Sequence, residues 1–84
     1  MTEQQIQKKK IKELEANGYY VIKLVRTNKN GIPDLIAIPK NSDVLFVEVK
    51  TPTGKVSELQ KFRIKELGDH GIKTELFNGE IFTL

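Results

Sequence analysis

Gly31-Ile32-Pro33-Asp34-Leu35-Ile36-Ala37-Ile38, followed by Val44-Leu45-Phe46-Val47-Glu48-Val49-Lys50, is the stretch on which the fold turns. Both runs read as strands. From Val44 to Val49 every residue but Glu48 is apolar, and a β-branched and aromatic run of that length predicts a strand buried on both faces, where a carboxylate is costly. The intervening Pro39-Lys40-Asn41-Ser42-Asp43 is polar and rich in turn formers, which predicts an antiparallel hairpin with a five-residue loop. With Ile38 facing Val44, paired residue numbers add to 82 and Asp34 faces Glu48. Directly opposed residues on one sheet face have Cβ atoms roughly 4.5–5.5 Å apart. Lys50, two residues beyond Glu48, points the same way.

Simple pairing therefore brings two acids and one amine side by side on a strand face that should otherwise be core. Carboxylates held that close repel, and the usual remedies are a shared proton or a shared cation. Two hard oxygen ligands with room for water suit Mg²⁺, with Mn²⁺ as the alternative. Lys50 could then deprotonate or orient the attacking water, or steady the charge developing on a phosphate, which is the chemistry of phosphodiester hydrolysis. Taken singly, a Glu-x-Lys pair is often a solvated strand end and Pro-Asp a common turn start. What carries weight is their compatible register beside an apolar run.

Eighty-four residues make one domain, expected over 1–84, small enough to bury only about 60 % of its unfolded surface, so dimerisation would help it. There is no cysteine and one histidine, which excludes a disulfide framework, a thiolate zinc site and a His-rich metal centre. The polar N-terminus and the lack of an apolar run near the ~20 residues of a membrane span predict no membrane partner and a cytoplasmic location. A net charge of +3 and a pI near 9.2 permit a nucleic-acid partner.

Along the chain, Thr2-Glu3-Gln4-Gln5 fits a capping box and Asn17-Gly18 a helix stop, predicting a first helix over about 3–16. Ile6, Ile11 and Leu14 form its apolar stripe, and Glu3 falls inside that stripe, from where its carboxylate could reach the acids; an acid in a first turn is also favoured by the helix dipole alone. Lys8-Lys9-Lys10-Ile11-Lys12 reads as a solvated basic face. Tyr19 to Val25 reads as a strand, and the basic loop after it offers Lys23, Arg26 and Lys29 to DNA phosphates, or is an ordinary hairpin loop. Ser57-Glu58-Leu59-Gln60 fits a second capping box, opening a helix to about His70 with Leu59, Phe62 and Leu67 in the core. Gln60 shares a flank with Ile64 and Leu67, so its amide either caps the helix or turns inward to the site. His70 reads as a helix-end residue. Ile72 to Phe77 closes the sheet, and Asn78-Gly79 turns into a short edge strand or tail over Glu80 to Leu84. The order is α-β-β-β-α-β, a small mixed α/β fold.

Gly31-x-Pro33-Asp34 followed by Glu48-Val49-Lys50 resembles the PD-(D/E)xK nuclease signature. More narrowly, the order Glu3, Gly18, Gly31-x-Pro33-Asp34, Phe46-Val47-Glu48-x-Lys50, Gln60 is similar to the VRR-NUC (virus-type replication-repair nuclease) domain. The resemblance implies a restriction-endonuclease-like fold, metal ligation by Asp34, Glu48 and the Val49 carbonyl, Lys50 as the catalytic lysine, and Glu3 and Gln60 as supporting site residues. Standalone members look like Holliday-junction resolvases, so it further implies a metal-dependent, structure-selective DNA endonuclease that cuts four-way junctions in DNA repair. Two symmetric nicks from one site per chain call for a homodimer. The resemblance also admits a phage-encoded protein acting in its host's cytoplasm. The alternatives are a non-catalytic basic nucleic-acid-binding module, and a nuclease for flap or plain duplex DNA.

Overall fold

The computed structural model describes residues 1–40, 43–79 and 82–83. Its elements follow the order α1 (Glu3–Ala16), β1 (Tyr20–Lys23), β2 (Leu35–Ile38), β3 (Leu45–Val49), α2 (Glu58–Asp69), β4 (Lys73–Phe77) and β5 (Phe82–Thr83). The strands form one sheet in the order β1-β2-β3-β4-β5. β1, β2 and β3 pair antiparallel, β3 and β4 parallel, and β4 and β5 antiparallel. A parallel pair needs a long crossover, and α2 supplies it between β3 and β4. This is the mixed α/β fold expected, with the first strand shorter than the Tyr19–Val25 run and a fifth short strand after Asn78-Gly79. Asn41, Ser42, Glu80, Ile81 and Leu84 lie outside the described residues.

The β2–β3 register is Leu35↔Val47, Ile36↔Phe46 and Ala37↔Leu45, so paired numbers add to 82 as the hairpin reading required. Leu35, Ala37, Val47, Val49 and Phe77 are buried on one sheet face together with Ile6 and Leu14 of α1. α1 begins where the capping box put it: the Thr2 hydroxyl accepts from the Gln5 amide N–H (3.2 Å) and the Gln5 side chain accepts from the Thr2 N–H (2.8 Å). Gly18, at φ +86°, turns the chain out of the helix, a conformation other residues adopt only at a cost.

Two expectations are corrected. Lys10 is not part of a solvated basic face: it is 2 % exposed, because it stands one turn from both Ile6 and Leu14 and so belongs to the stripe that α1 lays on the sheet. Lys8, Lys9 and Lys12 remain exposed. Leu59 and Phe62, expected in the core, are 42 % and 54 % exposed. α2 packs chiefly against β4, turning the half-buried Ile64 and Leu67 inward, and none of its residues is fully buried. Among the described residues no helix is long and apolar enough to cross a membrane.

Candidate functional site

Asp34 stands in the bend just before β2, and Glu48 is the fourth residue of β3. The register that pairs Leu35 with Val47 carries them to the same end of the hairpin. The Asp34 Oδ2 accepts a hydrogen bond from the Val49 N–H at 2.8 Å, which ties the bend to the neighbouring strand and fixes the carboxylate beside Glu48. On the other side of Asp34, its carbonyl accepts from the Leu24 N–H (2.8 Å), so the residue is held from both neighbouring chain segments.

Glu48 is 1 % exposed. Its Oε2 accepts from the Gln60 Nε2 at 3.1 Å and lies 3.5 Å from the Lys50 Nζ. Its Oε1 is buried with no hydrogen-bond partner among the described residues. Burial first, and the adjacent Asp34 carboxylate second, push the Glu48 carboxyl up from its ordinary 4.5 to about 8, against the pull of the Lys50 ammonium in the other direction. Lys50 is held in turn by its backbone, whose N–H donates to the Phe77 carbonyl (2.9 Å) and extends the parallel ladder one residue past β3.

Gln60 satisfies both roles open to it. Its Oε1 accepts from the Ser57 N–H (2.9 Å) and its own N–H donates to the Ser57 hydroxyl (3.1 Å), closing the capping box of α2. The same side chain still has its amide nitrogen for Glu48. The helix cap thus aims the amide, and the two readings are one arrangement.

Glu3 is not drawn into this cluster. The first turns of α1 do reach the site's end of the sheet, where the Lys9 Nζ donates to the Gly79 carbonyl just past β4 (3.3 Å). Glu3 itself is exposed and makes no side-chain hydrogen bond or ion pair among the described residues. Of the three basic loop residues, Arg26 and Lys29 line a cleft of about 330 Å³ that also includes Thr27, Asn30, Gly31 and Asp34. Lys23 is exposed at the end of β1 and is not part of that lining.

Arg63 braces the loop that leads to Asp34, a role the sequence did not single out. Its Nε donates to the Asn30 carbonyl (2.9 Å) and its Nη1 to the Glu66 carboxylate (2.7 Å), fastening the basic loop to α2. Gly31 completes that fastening. Its φ is +81°, and a Cβ there would come 2.9 Å from the Leu59 Cγ, so both the turn and the close approach to α2 need glycine. The available signal was position: Arg63 is three residues from Gln60 and on the same side of the helix.

The donor set fits a hard divalent cation. Two carboxylates stand together, one of them buried with an oxygen that no N–H or hydroxyl among the described residues reaches, so the pair holds either a shared proton, as the raised Glu48 carboxyl implies, or a cation. Among the described residues no group of three or more His, Cys, Asp or Glu side chains forms. A cation here would take its remaining ligands from backbone carbonyl, substrate and water, as Mg²⁺ commonly does.

Comparison with known proteins agrees with this fold. The family model of the VRR-NUC domain matches residues 1–80. A solved structure described as a VRR_NUC domain superposes with a TM-score of 0.80 at 28 % sequence identity, covering 90 % of this chain and 83 % of that one. No curated protein matches the chain. With a family match running through nearly all its length and a solved neighbour of the same description and fold, this chain belongs to the VRR-NUC family of nuclease-type domains.

Proposed function

We propose that the protein is a Mg²⁺-dependent endodeoxyribonuclease that cuts branched DNA, four-way junctions in particular, as a homodimer. The observation that carries the reading is the Asp34–Glu48 pair, with one unsatisfied buried oxygen, next to the Lys50 ammonium and a basic cleft. Asp34, Glu48 and the Val49 carbonyl are the groups that would hold the ion. When bound, it supplies the positive charge that polarises the scissile phosphate and acidifies water. Mn²⁺ has the same ligand preference and could replace it.

The chain's own residues do the rest. The Val49 N–H and the Gln60 amide fix the two carboxylates in position, so no reorganisation is needed as substrate arrives. Lys50, 3.5 Å from Glu48, orients the attacking water and steadies the charge that grows on the phosphate. Arg26 and Lys29 on the cleft wall, and Lys23 at its approach, take the flanking phosphates. Glu3, exposed at the same end of the sheet, is the supporting acid that the family resemblance implies.

Support for the dimer comes from the sheet face that α1 leaves uncovered. Tyr20 and Ile22 of the edge strand point to it and are 70 % and 41 % exposed, on a chain too small to bury much of its own surface. A C2 pair would also provide the two sites that symmetric nicking of a junction requires.

The test compares junction, flap and plain duplex DNA on one gel, with and without Mg²⁺. The expected result is metal-dependent nicking of the junction ahead of the others, lost in Lys50→Ala and Asp34→Ala. Cleavage that survives either substitution contradicts the site, and equal cutting of duplex and junction contradicts the substrate. Sedimentation of a monomer under active conditions contradicts the dimer.

A further inference from the structure

A second concavity opens beside the cleft that contains Asp34. Arg63, Glu66, Leu67 and His70 follow the i, i+3, i+4, i+7 spacing of one helical face, and with Lys29 and Ile32 from the loop opposite they enclose a groove of about 300 Å³. Lys29 and Ile32 line the Asp34 cleft as well, so the two hollows adjoin across these side chains. Their linings differ in kind. The cleft is walled mainly by polar groups, whereas the groove has Ile32 and Leu67 as an apolar floor.

The groove is held open without help from a ligand. Arg63 spans it at one end, bonded to the Asn30 carbonyl on the loop and to Glu66 on its own helix. The His70 Nδ1 lies 2.9 Å from the Glu66 carbonyl. A carbonyl only accepts, so Nδ1 carries the proton of this contact, which fixes the ring on the helix and leaves Nε2 for a ligand. A wall fixed in advance costs a ligand little ordering.

A polar track with a small apolar recess to one side is the division a nucleic-acid strand itself makes, between its phosphates and its bases. Ligand pockets run from roughly 300 to 1,000 Å³, so a groove at the bottom of that range takes one base rather than two. We propose that the groove receives the base of the nucleotide adjoining the scissile phosphate. The base lies on Ile32 and Leu67 with its edge toward the His70 Nε2, and its phosphate meets Lys29. This rests on the nuclease reading above and names a substrate subsite within it.

DNA carrying an abasic nucleotide, or 2-aminopurine, at successive positions around the cut provides the test, with wild type, Leu67→Ala and His70→Glu, each checked for folding by circular dichroism. At one position next to the cut, the abasic nucleotide is expected to lower wild-type kcat/KM about fivefold or more, and either variant to shrink that penalty below about twofold. At the same position, 2-aminopurine emission changes on metal-free binding to wild type and not to the variants. Abasic penalties that do not depend on position, with unchanged emission, overturn the subsite and leave the nuclease reading standing. If no DNA is cut, the nuclease reading fails and the emission titration alone decides the groove: a change at one position that both variants abolish supports it, and none overturns it.

Discussion

Among the described residues each face of the sheet buries one long ionisable side chain, and the two are treated in opposite ways. Lys10, under α1, lies 3.3 Å from both the Glu13 and the Glu75 carboxylate and 4.7 Å from the centre of the Phe77 ring. Its charge is met by two acids and an aromatic ring. Glu48, on the side of α2, has an amide and an ammonium crowded onto one oxygen, none on the other among the described residues, and a second acid alongside. The helices repeat the contrast: both open with a Thr/Ser-Gln capping box, yet α1 buries four residues and α2 none. A buried charge that is matched belongs to the packing, whereas one left in deficit marks a place where the fold waits for something else. α1 closes the core, and α2 delivers Gln60 to the acids and fastens the neighbouring loop through Arg63.

The contrast breaks most visibly at the acids. Asp34→Asn and Glu48→Gln are each expected to lower cleavage by at least about 1,000-fold with the melting temperature retained, since each keeps the shape and packing of the side chain it replaces while removing a carboxylate ligand. Loss of activity together with loss of folding in both would erase the difference between the faces. On the other face, Lys10→Ala is expected to cost about 3–5 kcal/mol in urea unfolding, because it strands Glu75, while Lys10→Met recovers most of that and cleavage per folded chain is unchanged. A cost below about 1 kcal/mol would class the Lys10 pairs with ordinary surface ion pairs.

The raised Glu48 carboxyl sharpens the same comparison through pH. Its value in the folded chain, about 8, lies above the ordinary 4.5, so between these limits the folded protein keeps a proton that the unfolded chain has released. Stability of the metal-free protein therefore falls as pH rises through this window, and Glu48→Gln flattens the fall. An identical pH profile in Glu48→Gln would assign the dependence to other groups. The smallest effect separates the two duties of Gln60. Gln60→Glu keeps an acceptor for the Ser57 N–H but gives up the amide donor to Glu48, and is expected to lower cleavage about 10- to 100-fold with α2 intact by circular dichroism.

Much of this was legible in the residues because it depends on local rules. Two capping boxes set the helix starts at Glu3 and Glu58, and a short polar loop between two β-forming runs set the register that joins Asp34 to Glu48. Gln60 was harder to read, since capping and site contact use different atoms of one amide and nothing forced a choice. Lys10 hides in its sequence because a run of lysines suggests a solvated face, although the helical period singles out one of them for burial. The exposure of Leu59 and Phe62 was not legible at all, because apolar spacing says which side of a helix is greasy and not whether the sheet is wide enough to cover it. Arg63 likewise depends on a loop 33 residues away in sequence.

Titration calorimetry of Mn²⁺ into the metal-free protein at pH 7, in buffers of different ionisation heat, goes most directly to the claim that Asp34 and Glu48 make a cation site. The predicted result is one ion bound per chain with release of most of a proton from Glu48, and at least about 100-fold weaker binding in Asp34→Asn and Glu48→Gln. No saturable binding in the wild type, or variants that bind as tightly as the wild type, would contradict it.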